Sequence, residues 1–357
     1  MKKNHIFFLL FVLAVLPFST AGSVHAASSA AWVAEWDAQK GIEEIPAIQA
    51  RSIVLFAAYF DSENKPFLSE AMQRMLKNTP RKNLAPDGDL YLSVVNDVFY
   101  YPNKSLQKDP SLITSLMATE KSRALHKADL LRLLASGPFD GLEIDYERVD
   151  PQAWAPLLDF AADLANQLAA QGKKLRFLLE PKKQYLQIPL TKGPEYVLMG
   201  YNLFGGHSGP GPKANAAFLR KLATESSAAA YRTGQKIGLA LATGGFAWPT
   251  ATGLQNRAAV VAVNEMSAAA WARGSQAALV RDPESRALHF VATDTAPGSP
   301  IPARNAKNST YEIWYADGET LSYWIQIGQS AGFGNISLWR LGGNVRESLA
   351  RFAEATK

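Results

Sequence analysis

Three carboxylates stand at alternate positions in the stretch 139–147, FDGLEIDYE: Glu143, Asp145 and Glu147. Side chains alternate across a β-strand, so a strand here places all three acids on one face and its apolar residues on the other. Neighbouring carboxylates push their proton affinities apart, which lets one remain protonated as an acid while another stays ionised. The pattern therefore indicates general acid–base chemistry.

The same acids have structural interpretations, namely a solvated edge, a salt-bridge ladder or a calcium site. Like charges on one buried strand repel one another and lose hydration, which a protein tolerates mainly where chemistry needs the charges. Calcium needs more oxygen ligands than one strand supplies. Catalysis is therefore the favoured interpretation, and the structural ones remain alternatives.

Eight apolar segments alternate with helix-length segments along the chain. The predicted strands are 31–37, 51–61, 89–98, 139–147, 175–181, 196–202, 236–243 and 335–341. The predicted helices are 67–77, 110–136, 151–171, 214–233, 319–331 and 345–355. Near-continuous apolar strands that alternate with helices predict a (β/α)8 TIM barrel, an α/β fold whose active site lies at the C-terminal ends of its strands.

The first 26 residues have the pattern of a secretory signal peptide. Lys2 and Lys3 precede an apolar run at 6–18, and the small-residue exit Val24-His25-Ala26 follows. The apolar run is too short for a membrane span, so we expect a secreted protein with no transmembrane segment in the mature chain. Cleavage after Ala26 removes two lysines and no acids, so the net charge falls from +5 to +3. This mild positive charge fits a location at an anionic cell wall and is too small to indicate nucleic-acid binding.

Cysteine is absent from the sequence, which excludes disulfides, thiolate nucleophiles and zinc–cysteine sites. The histidines beyond the predicted signal are His126, His207 and His289, and they are too far apart in sequence to suggest a metal site or a triad. His126 falls in a predicted helix, where an ordinary packed or exposed histidine is expected. We expect a monomer that needs no metal or cofactor.

The run 140–147, DGLEIDYE, resembles the DGxDxDxE signature of glycoside hydrolase family 18. This family comprises chitinases and related N-acetylglucosaminidases, including bacterial spore-cortex and cell-wall hydrolases. Asp145 and Glu147 match the signature, whereas Glu143 stands where the family has Asp. The role of Glu143 is therefore less closely specified by the resemblance.

Two further motifs are similar to those of the family. The run 199–202, MGYN, resembles the family motif MxYD, whose tyrosine hydroxyl holds the acetamido oxygen of the substrate. Tyr201 matches that tyrosine, and Asn202 replaces the usual Asp, which removes a negative charge near the acids. Trp339 matches the tryptophan that forms the floor of the sugar subsite.

Aromatic residues gather at or just after predicted strand ends, where a barrel binds ligands. They are Trp36, Phe99 to Tyr101, Tyr185, Phe204, Trp248 and Trp339. Apolar sugar faces stack on such rings, although any one of them could be an ordinary core residue. Tyr315 and Asp317 resemble the family's YD pair, and Asp317 could equally be a helix N-cap. We expect Trp36, Trp248 and Tyr315 to contact substrate.

The apolar rhythm changes between about 255 and 315, where short apolar runs surround a polar, proline-containing stretch. Family members often carry a small α+β insertion between strand 7 and its helix, which is where this break falls. The expected parts are a signal peptide at 1–26, a catalytic barrel at 27–254 and 316–357, and an insertion at 255–315.

The resemblance implies hydrolysis of a β-1,4-linked polysaccharide that contains N-acetylglucosamine, either chitin or peptidoglycan. Glu147 would be the general acid, Asp145 would orient the acetamido group that attacks the anomeric carbon, and Glu143 would tune Asp145. The catalytic candidates are thus Glu147, Asp145 and Tyr201. The alternatives are a catalytically inactive, lectin-like barrel of the same family and a structural protein of the wall or spore.

Overall fold

The structure is a computed structural model that describes residues 29–86, 88–100, 104–231, 233–234, 236–250 and 259–357. The predicted signal peptide at 1–26 lies outside the described residues, as does Tyr101 of the aromatic cluster. None of the helices formed by the described residues is long and apolar enough to cross a lipid bilayer.

Eight parallel strands close into a barrel, as the sequence predicts. They are β1 (Ser29–Ala34), β2 (Ser52–Asp61), β3 (Asp89–Tyr100), β4 (Gly141–Asp145), β5 (Lys174–Leu179), β6 (Glu195–Met199), β7 (Gly238–Ala242) and β8 (Ile336–Leu341). Each strand pairs with its neighbour in sequence order, β8 pairs with β1, and β2 pairs with β3 to complete the ring. The predicted (β/α)8 TIM barrel is confirmed.

Two short antiparallel strands extend the barrel rim. Pro66–Leu68 pairs with β2, and Lys104–Leu106 pairs with the last residues of β3. Lys108 lies two residues after the second of these strands, and its side chain reaches Glu147, just beyond β4. The sequence pattern predicts a helix over 67–77. In the structure Pro66–Leu68 is a strand, and the helix begins at Glu70.

The helices surround the barrel, except for Glu265–Gly274 of the insertion, and several begin where a side chain caps their first turn. They are Ala38–Ile48, Glu70–Asn78, Arg81–Leu84, Pro110–Met117, Glu120–Ala135, Pro151–Ala169, Lys183–Leu186, Ala216–Ala230, Glu265–Gly274, Gly318–Ser330 and Arg346–Ala355, with 3-10 turns at Glu35–Asp37 and Ala303–Asn305. The predicted helix 110–136 is two helices, because Thr119 accepts a hydrogen bond from the Ser122 N–H and starts a new one. Asp317 caps Gly318–Ser330, as one of its two interpretations predicts.

The main core lies between the barrel and its helices. Leu142, Ile144 and Tyr146 of the acidic strand region are buried there, on the face opposite the acids. His126 is also buried, and its Nε2 lies 2.9 Å from the Tyr146 hydroxyl. Burial lowers the pKa of His126 to about 3, so it packs as a neutral side chain.

A five-stranded antiparallel sheet and one helix are inserted between β7 and the helix Gly318–Ser330. The sheet order is Val261–Val263, Gly244–Pro249, Thr310–Ala316, Leu288–Thr293 and Val280–Arg281. The predicted α+β insertion is therefore present. Its sheet already includes Gly244–Pro249, which the sequence assigns to the barrel, because Gly244 at φ 61 turns the chain out of β7.

Candidate active site

A cavity of about 370 Å³ opens at the C-terminal ends of the barrel strands. Its polar lining consists of Asp97, Gln107, Lys108, Asp145, Glu147 and Asn202. Its aromatic lining consists of Trp36, Phe56, Tyr59, Phe99, Tyr201 and Trp339. The predicted site residues that the structure brings together are thus Asp145, Glu147, Tyr201, Asn202, Trp36 and Trp339.

Glu147 follows the end of β4 by two residues, and its side chain is only 14% exposed. Lys108 Nζ lies 2.5 Å from Glu147 Oε1. Burial raises the pKa of Glu147, and the Lys108 ammonium opposes that rise. A carboxyl with a raised pKa holds its proton to higher pH, as a general acid must.

The backbone of Glu147 is fixed from both neighbouring strands. Asn96, buried on β3, donates through Nδ2 to the Glu147 carbonyl oxygen and accepts from the Glu147 N–H, each over 2.9 Å. The Arg148 N–H donates to Glu180 Oε2 over 2.7 Å, just beyond β5. These hydrogen bonds fix the backbone at Glu147 and leave its side-chain carboxyl group free for other contacts.

Asp145, the last residue of β4, is the most buried acid of the cavity. Its Oδ1 has no hydrogen-bond partner among the described residues. Burial raises the pKa of Asp145 well above its ordinary value, and the charges of Glu147 and then Glu143 raise it further. An unpaired buried oxygen of this kind is suited to accept a hydrogen bond from a bound N–H group.

Asp97 is the third acid of the cavity. Burial raises the pKa of Asp97, while the Lys108 N–H, which donates to its Oδ1 over 2.8 Å, lowers that pKa.

Within the part of the chain that the structure describes, no group of three or more His, Asp or Glu side chains is arranged to hold a metal ion.

Tyr201 and Trp339 lie beside the acids. Burial raises the pKa of Tyr201 well above its ordinary value, as do the charges of Asp145 and Glu147, so the hydroxyl stays protonated and able to donate. The Trp339 ring makes edge contacts with Phe56 and Trp32, at centroid distances of 5.0 and 6.0 Å. These contacts fix the orientation of a large ring that lines the cavity.

Glu143 does not line the cavity. It is fully buried, where Trp32 Nε1 donates to Oε1 over 2.7 Å and Arg176 Nε donates to Oε2 over 3.0 Å. Two of the three acids thus form salt bridges, Glu143 with Arg176 and Glu147 with Lys108, whereas Asp145 forms none with the described residues. Glu143 has no surface in the cavity with which to contact a substrate, and its charge raises the pKa of Asp145.

Trp248 and Tyr315 also lie away from the cavity, because both belong to the inserted sheet. Trp248 is buried, and its Nε1 donates to the carbonyl oxygens of Gly205 and Ser208 over 3.3 and 2.9 Å. Tyr315 is buried in the core of the insertion, with its ring 6.3 Å from Phe290. Trp248 follows a predicted barrel strand and Tyr315 was assigned through its resemblance to the family's YD pair, but the chain has already left the rim at Gly244.

Comparison with solved structures identifies similar folds. The spore cortex-lytic enzyme SleL of Bacillus cereus matches with a TM-score of 0.74 and 16% identity over 92% of this chain and 74% of that one. A chitinase from Chromobacterium violaceum matches at 0.70 and 14% identity, over 93% and 99%. A class V chitinase from Nicotiana tobaccum in complex with NAG4 matches at 0.69 and 14% identity, over 92% and 98%. The chain has the fold of these enzymes.

No family profile matches the sequence, and no curated protein matches it either. At these identities the structural similarity concerns the fold. The solved structures confirm the fold that the resemblance to glycoside hydrolase family 18, drawn from the runs 140–147 and 199–202, implies.

Sequence reasoning missed one charged residue of this chitinase-like barrel, Lys108. It reaches Glu147 from a hairpin, and 39 residues of sequence separate the two, so no local motif connects them. Tyr59, whose hydroxyl donates to Glu35 Oε1 over 2.9 Å, was more accessible to prediction. It stands near the C-terminal end of a predicted strand, which is where rim residues are expected.

Proposed function

We propose that the protein is a secreted glycoside hydrolase of family 18 that cleaves β-1,4 bonds in a polysaccharide containing N-acetylglucosamine, with retention of anomeric configuration. The observation that carries the proposal is the convergence of Glu147, Asp145, Tyr201 and Trp339 on one cavity at the barrel rim. An acid with a raised pKa, an unpaired carboxylate oxygen, a protonated hydroxyl and an aromatic floor complement an acetamido sugar from several sides.

Glu147 transfers its proton to the glycosidic oxygen as the bond to the anomeric carbon breaks. The 2-acetamido oxygen of the same sugar attacks that carbon, so no protein nucleophile is required. The Glu147 carboxylate then takes a proton from water, which attacks the anomeric carbon and restores the acetamido group. Lys108 favours the ionised form that this second step needs.

Asp145 and Tyr201 act on the acetamido group. Asp145 accepts a hydrogen bond from its N–H and stabilises the positive charge that develops during ring closure, while Tyr201 donates to its oxygen. Trp339 stacks beneath the sugar ring and keeps the anomeric carbon in line with the attacking oxygen. The charge of Glu143, which is buried inside the barrel, raises the pKa of Asp145.

Mass analysis of the products formed from chitin and from peptidoglycan tests the proposal directly. We expect soluble oligosaccharides with N-acetylglucosamine at the newly formed reducing end from at least one polymer. Saturable binding of oligosaccharides without any cleavage would instead identify the inactive, lectin-like alternative. If neither oligosaccharide binding nor cleavage is observed, the result supports the third alternative, a structural protein of the wall or spore.

Replacing Lys108 with Met is expected to move the alkaline limb of the pH profile of kcat/KM toward higher pH. The general acid works while protonated, so activity falls as the pH rises through the pKa of Glu147. Lys108 lowers that pKa, and its loss lets burial raise the pKa further. Lys104→Met, in the same hairpin but outside the cavity, is the matched control. An unmoved limb in Lys108→Met would contradict the assignment of Glu147 as the acid.

A further inference from the structure

A second, smaller cavity of about 210 Å³ shares Trp339 with the first, since this residue lines both. It lies where β7 and β8 end and the insertion begins. Its other lining side chains include Lys213, Thr243, Asn264, Arg340 and Asn344. The second cavity therefore lies next to the ring on which the sugar of the proposed site stacks.

The charges that line the second cavity are all positive. Lys213 and Arg340 line it, and no Asp or Glu does so among the described residues. The Lys213 ammonium donates to the Thr243 carbonyl oxygen over 3.0 Å, and no carboxylate of the described residues lies within 4 Å of it. The first cavity, by contrast, contains Asp97, Asp145 and Glu147.

Arg340 connects the two cavities. Its guanidinium lies 5.4 Å from the centroid of the Trp36 ring, which lines the first cavity. Its Nη1 lies 3.2 Å from Asp37 Oδ2 and also donates to the Leu341 carbonyl oxygen. Its Nε and Nη2 make no hydrogen bond to the described residues, so donors remain for a ligand.

The two cations disfavour each other. Burial lowers the pKa of Lys213 to about 8, and the charge of Arg340 contributes to the decrease. Near neutral pH the ammonium is still charged, and a charge removed from water without a counter-ion is unfavourable. The carboxylate of Glu44 is occupied by other donors, because it accepts hydrogen bonds from the N–H groups of Gly342, Gly343 and Asn344. Arg340 is paired with Asp37, whereas Lys213 has no carboxylate partner among the described residues, so a bound anion would supply the counter-ion that Lys213 lacks.

We propose that the second cavity is a subsite for a carboxylate carried by the sugar next to the one on Trp339. The proposal rests on the function proposed above and names its substrate class: a glycan of alternating N-acetylglucosamine and N-acetylmuramic acid, as in peptidoglycan. The lactyl arm on the 3-oxygen of N-acetylmuramic acid carries a carboxylate, either its own or that of an attached alanine. Chitin has a neutral hydroxyl at that position and therefore no carboxylate with which these cations could form an ion pair.

The test compares tetrasaccharides that differ only in the lactyl arm. One has free lactyl carboxylates, one has them linked to L-alanine, and one has them capped as neutral methyl amides; N-acetylglucosamine tetramer is the chitin reference. For the wild type we expect kcat/KM to be about tenfold or more higher for at least one carboxylate form than for the amide, since a partly buried ion pair commonly contributes this much. The preferred form shows which carboxylate is bound.

Lys213→Met is expected to remove most of that preference, and Lys213→Arg to retain it. The matched control is Lys221→Met, on the exposed face of the helix Ala216–Ala230. Equal turnover of the capped and uncapped forms, or a preference that survives in Lys213→Met, would overturn the subsite. If the wild type cleaves none of the four, the proposed function fails, and calorimetric binding of the same oligomers still decides whether the carboxylate is recognised through Lys213.

Discussion

Replacing Glu147 with Gln is expected to lower the hydrolysis of N-acetylglucosamine oligomers by ~10²–10⁴-fold, the usual contribution of a general acid. Glutamine keeps the shape of the side chain but has no proton of suitable acidity to give to the leaving oxygen. The fold is expected to remain intact, because Asn96 and Glu180 hold this segment through its backbone. Circular dichroism and thermal unfolding check that expectation.

The leaving group sharpens this test. An oligomer whose leaving group is another sugar needs a proton, whereas a nitrophenyl leaving group departs without one. We therefore expect a much smaller loss of rate on the nitrophenyl substrate for the first chemical step. Glu43→Gln, on the exposed face of the helix Ala38–Ile48, serves as the control for the substitution itself. Near-normal rates of Glu147→Gln on the all-sugar oligomer would reject the proposed acid.

The barrel and the centre of its site were accessible from the sequence because both depend on local pattern. Apolar runs of strand length locate all eight strands, and residues that follow their C-terminal ends must meet at one rim. Asp145, Tyr201 and Trp339 were placed correctly by that rule together with the family motifs. Neither step requires knowledge of which side chains touch.

The remaining errors come from contacts between segments that are distant in sequence. A strand-end aromatic such as Trp248 looks the same whether the chain turns back into a helix or continues into another sheet. Lys108 reaches Glu147 only because the hairpin at Lys104–Leu106 folds over the rim. The substrate-binding assignment of Trp248 and the omission of Lys108 therefore have one cause, whereas the assignment of Tyr315 came from the family's YD pair.

The partner of Glu143 was in principle predictable. Arg176 is a charged residue between the apolar residues Leu175 and Phe177 of β5, and strands that follow each other in a barrel are paired. The register places Arg176 opposite Glu143. A buried arginine beside a buried acid is a strong indication of an ion pair, since neither charge is tolerated alone.

This pair also predicts the largest change in stability. Replacing Arg176 with Met is expected to lower the free energy of unfolding by ~3–5 kcal/mol, because Glu143 is left buried without its counter-ion. Arg176 also loses its contact with Glu195 Oε1 at 3.6 Å and its hydrogen bond to Ser337 Oγ at 3.2 Å. Urea unfolding measures the change, and Arg351→Met, which breaks the exposed pair with Glu347, is expected to lose far less.

The double variant Arg176→Met with Glu143→Gln separates the two causes of that loss. Glutamine removes the buried charge but keeps an oxygen that can accept the hydrogen bond from Trp32 Nε1. If the unpaired carboxylate is responsible, the double variant is more stable than Arg176→Met, although it carries one more substitution. If the lost packing of the arginine is responsible, the second substitution restores nothing. In the first case the pair also matters for the site, because Arg176 compensates the buried charge of Glu143, which raises the pKa of Asp145.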